Sequence, residues 1–177
     1  MSIITGRGDG GETDLLFGRR VAKTSGRVEA LGAVDELNAA LGMARAAGLA
    51  TEMEAVIDRV QERLVGLMGQ LACLPEDSDR YGEKGYAMLT AEDVAWLEEQ
   101  AAAREAAGVR FEGWARPGVE HSLARAALDL ARTVARRAER RVWELHERDG
   151  AVPEVVRLYF NRLSDLLWLL ARAETPR

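Results

Sequence analysis

The segment Leu128-Asp129-Leu130-Ala131-Arg132-Thr133-Val134-Ala135-Arg136-Arg137-Ala138-Glu139-Arg140-Arg141-Val142-Trp143-Glu144-Leu145 repeats apolar residues at intervals of three and four. Leu128, Ala131, Val134, Ala135, Ala138, Val142 and Leu145 therefore share one face of a helix. Arg132, Arg136 and Glu139 lie at i, i+4 and i+7, in a stripe that borders this apolar face. Arginines so placed are partly buried at a neighbour or an interface, where a charge needs a partner.

The same period runs through the rest of the chain. A first helix begins near Arg27, buries Val34, Leu37, Leu41 and Ala44, and stops at Gly48. A second spans about Thr51 to Leu74, with Met53, Val56, Ile57, Val60, Leu64, Leu67 and Leu71 inward, and Pro75 ends it. The polar segment 76–88 reads as a loop. Thr90 caps a third helix that reaches about Ala107. The fourth helix runs from about Ser122 to Arg148, and a fifth opens at Pro153 and continues to about Ala173. Short connections between five helices predict an all-α, up-and-down five-helix bundle, with no convincing strand. Residues 1–177 read as one domain, in which an arm (1–26) precedes the bundle (27–177).

Two other helices also carry polar stripes beside the core. Asp35, Asn38, Gly42 and Arg45 share one on the first helix, and Gly42 predicts a close helix approach there. Asn161, Asp165, Trp168 and Arg172 share one on the last. Asn and Asp are poor formers of helix interiors, so their place on a stripe needs a reason. Three such stripes predict burial against another subunit, with a ligand between.

The arm contains Thr5-Gly6-Arg7-Gly8-Asp9-Gly10-Gly11-Glu12-Thr13. Glycines let backbone N–H groups converge on one point and let a ligand approach closely, which suits phosphate. Thr5 and Thr13 add hydroxyls, and Arg7 adds a cation with fork geometry for phosphate oxygens. An irregular basic stretch follows, with Arg19, Arg20 and Lys23.

Composition bounds the function. The 177 residues are 47% hydrophobic and only 6% aromatic, so the core is mostly Leu, Ala and Val. A net charge of -5 gives no global basic field for nucleic acid or an anionic membrane. No apolar run is long enough to span a bilayer, and no signal or transit sequence is evident. Cys73 stands alone, which precludes an intrachain disulfide and fits a reducing cytoplasm. One Cys with His121 and His146 gives no metal-ligand spacing.

Four blocks together resemble the PduO-type ATP:cob(I)alamin adenosyltransferases: Thr5-x-x-Gly8-Asp9-x-Gly11-x-Thr13; Arg27-Val28-Glu29-Ala30-x-Gly32-x-Val34-Asp35-Glu36-Leu37-Asn38; Ala131-Arg132-Thr133-x-x-Arg136-Arg137-Ala138-Glu139-Arg140; and Asn161-Arg162-Leu163-Ser164-Asp165. They stand in the family's order and roughly its spacing. The resemblance implies a homotrimer with its active site between neighbouring subunits. It implies transfer of the 5′-deoxyadenosyl group of ATP to the cobalt of cob(I)alamin, with release of triphosphate. Thr5, Gly8, Asp9, Gly11, Thr13 and Lys23 would cradle the triphosphate. Arg132 would pair with Asp35 across subunits near the corrin, and Arg136, Glu139 and Asn161 would contact ATP. Trp114 would stand against the lower face of the corrin, keeping cobalt four-coordinate for reduction, with His121 not a ligand. Arg136, Lys23 and Mg²⁺ would neutralise the leaving triphosphate. A flavin reductase and adenosylcobalamin-dependent enzymes are the implied partners. The alternative is an ATP- and corrinoid-binding carrier or sensor with little transfer.

The sequence departs from the family pattern at Gly6-Arg7, in Pro117-Gly118-Val119-Glu120-His121-Ser122, and at Asp129, where a His is common. It also ends at Arg177, short of the tail that many members close over the corrin.

Overall fold

The computed structural model describes residues 4–110, 113–118, 121–150 and 152–173. Five long helices carry the fold: α1 (Gly26–Ala46), α2 (Thr51–Leu71), α4 (Ala91–Ala106), α5 (Leu123–Asp149) and α6 (Glu154–Leu170). Between α2 and α4 lie a 3₁₀ turn at Pro75–Asp77 and the short helix α3 (Ser78–Glu83), in the segment expected to be a loop.

Cross-helix pairs fix the directions. Arg45 of α1 meets Glu54 of α2, and Asn38 meets Gln61. Arg104 of α4 meets Glu52 of α2, and Arg63 of α2 meets Asp93 of α4. Glu139 of α5 meets Asn161 of α6, and Asp129 meets Arg172. Glu36 of α1 meets Arg137 of α5, and Arg27 meets Asp149. Each pair runs antiparallel, so the chain goes up and down five times. Around the bundle the helices follow the order α1, α2, α4, α6, α5. The core is aliphatic, as the composition required: Leu37, Leu41, Ile57, Leu64, Leu67, Leu97, Leu128, Leu163 and Leu166 are fully buried, joined by Tyr159 and Phe160.

Helix ends follow their sequence signals. The Ser25 hydroxyl accepts from Val28 N (3.4 Å) and the Ser122 hydroxyl from Arg125 N (3.3 Å). Gly150, at φ 62°, stops α5. α2 ends three residues before the expected Leu74. The buried Arg27 donates to the carbonyls of Leu71 (2.8 Å) and Cys73 (3.1 Å), so a neighbouring helix satisfies the end of this one. Gly69 admits Tyr81, whose hydroxyl would stand 2.9 Å from a Cβ there.

The arm is more regular than its sequence indicated. Strands β1 (Glu12–Asp14) and β2 (Arg20–Ala22) pair antiparallel, with Thr13 opposite Val21. Arg20 bonds Glu12 (3.3 Å) and Asp14 (3.0 Å) along the hairpin. The hairpin is docked on the segment after α2. Leu15 is buried, Leu16 N donates to Ala72 O (3.1 Å), and Arg19 forks onto Asp77 at 2.7 and 3.0 Å. Phe17 stacks on Tyr86 under the Arg80 guanidinium. These contacts fix the arm at the end of the bundle where α2 and α5 finish.

Candidate active site

The glycine-rich segment forms two consecutive tight turns. Asp9 N donates to Gly6 O and Gly11 N to Gly8 O, each at 3.2 Å. Lys23 N then donates to Gly11 O at 2.9 Å, which brings the start of α1 beneath the loop. A Cβ on Gly8 would stand 2.9 Å from Lys23 Nζ, so glycine is what lets the ammonium lie against the loop backbone. Among the described residues no acidic group pairs with Lys23. Arg7, expected as a phosphate cation, instead pairs with Asp14 at 3.2 Å. Asp14 also takes Arg20, so it anchors two arginines and leaves Lys23 as the available charge.

The second group of residues lies along the seam of α5 and α6. Asn161 donates to Glu139 at 3.5 Å, and Arg162 donates to Asn161. Arg136 lies one turn from Glu139, exposed, and its guanidinium has no hydrogen bond or ion pair among the described residues. Arg132 is half-buried one turn further along and bonds Asp129 at 3.1 Å. Asp165 continues the α6 side of the groove.

Asp35 is exposed on α1, and it too has no ion pair among the described residues. Within a protomer it cannot meet Arg132. α5 turns its Arg137 flank to Glu36 of α1 and its Glu139 flank to α6, and Arg132 shares the latter. The rest of the α1 stripe meets α2 within the chain. Asn38 holds Gln61 at 3.0 Å, and Arg45 holds Glu54 (3.2 Å) and Asp58 (3.0 Å). Gly42 marks no close approach of backbones, since a Cβ there would sit 3.8 Å from the Gln61 amide.

A cavity of about 880 Å³ opens at the bundle end opposite the arm. Its lining includes Glu52, Arg104, Arg110, Trp168 and Arg172, with Gly113 and Ala115 from the loop between α4 and α5. The volume is within the usual range for small-molecule sites. Trp114 lies between those two loop residues and is 94% exposed, turned outward in the protomer. His121 is exposed at φ 55°. Val119 and Glu120 of the variant segment lie outside the described residues. Trp168 and Arg172 share a stripe in the sequence, but the cavity they line exists only through the docking of α4 and α6.

One chain therefore does not assemble these groups into one place. No hydrogen bond or ion pair among the described residues joins the 5–13 loop to Arg132, Arg136, Glu139 or Asn161. The arm sits near the level of Asp149, and Arg136 lies roughly 20 Å along α5 at about 1.5 Å per residue.

The architecture and these groups define a helical bundle with a glycine-rich loop at one end and an arginine-bearing groove along its side. The chain belongs to the cobalamin adenosyltransferase family, whose model matches residues 3–174. It is 40% identical over 177 residues to the corrinoid adenosyltransferase PduO of Salmonella typhimurium, covering 98% of this chain and 50% of that protein. It is 40% identical to a cobalamin adenosyltransferase of Cupriavidus metallidurans, covering 96% and 86%. The chain thus spans half the length of the Salmonella relative and most of the Cupriavidus one. Its fold is similar to a variant PduO-type ATP:corrinoid adenosyltransferase from Lactobacillus reuteri complexed with cobalamin and ATP. The TM-score is 0.86 at 27% identity over 97% of this chain and 92% of that one. A second variant of that enzyme, complexed with ATP, gives 0.81 at 28%, covering 96% and 92%.

Proposed function

We propose that this chain transfers the 5′-deoxyadenosyl group of ATP to the cobalt of cob(I)alamin, giving adenosylcobalamin and triphosphate, within a homotrimer. The observation that carries the reading is the separation of complementary halves. The loop with Lys23 and the exposed Asp35 make no hydrogen bond or ion pair with the groove of their own chain among the described residues, so each is available to a neighbour's Arg136, Glu139, Asn161 and Arg132. Closed cyclic symmetry lets every subunit give one half and receive the other.

The substrate cobalt supplies an electron pair to C5′ as the C5′–O bond breaks and the pair leaves with triphosphate. No general base is needed. The protein's part is to orient ATP and stabilise the departing charge. The loop N–H groups of residues 8–11, the Thr5 and Thr13 hydroxyls, Asp9 and Lys23 cradle the phosphates. Arg136 of the neighbour faces the charge developing on the leaving oxygen, while Glu139 and Asn161 fix the nucleoside through its polar edges. Among the described residues no group of three or more His, Cys, Asp or Glu could hold a metal. Mg²⁺ would bind through the triphosphate oxygens, as part of the substrate. The corrinoid lies against the end cavity, where Trp114 offers an apolar surface to the lower face and His121 is not a ligand. Arg132 meets Asp35 of the adjacent subunit nearby.

Among the described residues no helix is long and apolar enough to cross a membrane. The single cysteine fits a reducing cytoplasm, where a flavin reductase would supply the electron and adenosylcobalamin-dependent enzymes would take the product. The test is direct: ATP and reduced cobalamin are mixed with the protein, and the spectrum of adenosylcobalamin is followed. Its appearance is expected. ATP binding without that spectrum would instead identify a carrier or sensor.

A further inference from the structure

Asp129 stands where the polar side of α5 meets the end of α6, and it is the buried centre of an ionic cluster. The residue is 6% exposed. Arg172 forks onto it, NH1 to Oδ1 at 3.1 Å and NH2 to Oδ2 at 3.2 Å, while Arg132 Nε adds a bond to Oδ1 at 3.1 Å. The Arg172 guanidinium lies 4.4 Å from the centroid of the Trp168 ring and also donates to Trp168 O at 3.0 Å. Arg172 and Trp168 both line the end cavity, and Arg132 belongs to the α5–α6 groove.

We propose that Asp129 is a positioning residue that locks Arg172 and the Trp168 ring as a rigid wall of the corrinoid cavity while holding Arg132 at the mouth of the adjoining groove. A bidentate carboxylate gives a guanidinium both position and plane. The plane matters because it sets the face on which the indole packs. Without the carboxylate, two half-buried arginines repel each other and Arg172 loses its fixed plane, so the wall loosens. One buried anion thus ties the helix bearing the nucleotide arginines to the helix that shapes the cavity. A neutral side chain at 129 could not balance both guanidinium groups.

This inference rests on the placement of the corrinoid in the end cavity, and its test reads the wall separately from the chemistry. Acrylamide quenching is measured in a chain whose only tryptophan is Trp168, with and without Asp129→Asn. Equilibrium binding of cob(II)alamin, and of ATP, is measured on the chain with all its tryptophans. Asp129→Asn is expected to raise Trp168 quenching about twofold as the indole loses its cation lid. It is expected to weaken cob(II)alamin binding about tenfold while ATP affinity changes less than about twofold. Arg172→Lys, which keeps the charge and loses the fork, should reproduce both effects and serves if Asp129→Asn does not fold. Unchanged quenching, or unchanged cob(II)alamin affinity with a loosened Trp168, would overturn the proposal. Failure of the transferase reading would show differently, as absence of transfer by the unsubstituted chain.

Discussion

Arg136 and Arg27 show how differently two arginines of one chain are used. Arg27 is 7% exposed, and its neighbours are carbonyl oxygens at the end of α2 and, at 3.7 Å, Asp149. Burial holds its pKa below the ordinary arginine value, the mark of a cation retained for structure. Arg27→Ala leaves two carbonyls without their donor and a cavity beside Cys73. We expect a loss of about 2–4 kcal/mol, seen as a fall in Tm of roughly 5–15 °C for a chain of this size. Arg136 is the opposite case. No partner among the described residues depends on it, so Arg136→Ala should leave Tm nearly unchanged. Adenosyl transfer should drop at least about a hundredfold, equivalent to ~2.7 kcal/mol of transition-state stabilisation. Steady-state rates beside thermal melts separate the two residues, and near-normal turnover of Arg136→Ala would contradict its role.

The arm hairpin is held by a pair that titrates. The Arg19 guanidinium holds the Asp77 carboxyl below the usual carboxylate range. A group with a depressed folded pKa stabilises the docked state above its unfolded pKa, near 3.9. That contribution is lost as pH falls through the folded value. The protection of residues 12–22 against amide exchange, taken relative to their intrinsic rates, should therefore fall on acidification below about pH 4, before the α5 core opens. Asp77→Asn should produce the same local loss of protection at pH 7. In the adjoining loop, exchange of residues 5–13 should slow markedly with ATP, since glycine-rich turns need ligand contacts to stay fixed. Equal exchange with and without ATP would remove the loop from the phosphate site.

The long helices were legible because their evidence is local: each buries a stripe that recurs every three or four residues, and Pro, Gly and Ser mark the ends. The hairpin was not. Its strands have three residues each, and their pairing depends on Arg20 bridging to Glu12 and Asp14 and on Leu15 and Arg19 docking against residues far along the chain. α3 is similarly held by Tyr81 reaching the Ala87 carbonyl and packing at Gly69. Polar stripes could be seen in the sequence, but not what each one meets. Asn38 and Arg45 face α2, whereas Asp35, a turn away, faces solvent. Asp129 read only as a departure from a family pattern, because its partner Arg172 lies 43 residues away.

At the scale of the molecule, the proposed site is split within each protomer between the glycine-rich loop at one end of the bundle and the α5–α6 groove, which no hydrogen bond or ion pair among the described residues joins. That arrangement predicts a trimer, and sedimentation equilibrium should give three times 19.4 kDa at micromolar concentration. The more direct test crosses two defects. Lys23→Ala damages the loop half and Arg136→Ala the groove half, and each variant alone should form little adenosylcobalamin. When the two are mixed, unfolded and reassembled together, an interface between unlike subunits can join an intact loop to an intact groove. With random mixing about one site in four is then whole. The account predicts that the mixture regains about a quarter of the unsubstituted rate of adenosylcobalamin formation. A mixture no more active than the average of its two parents would contradict it.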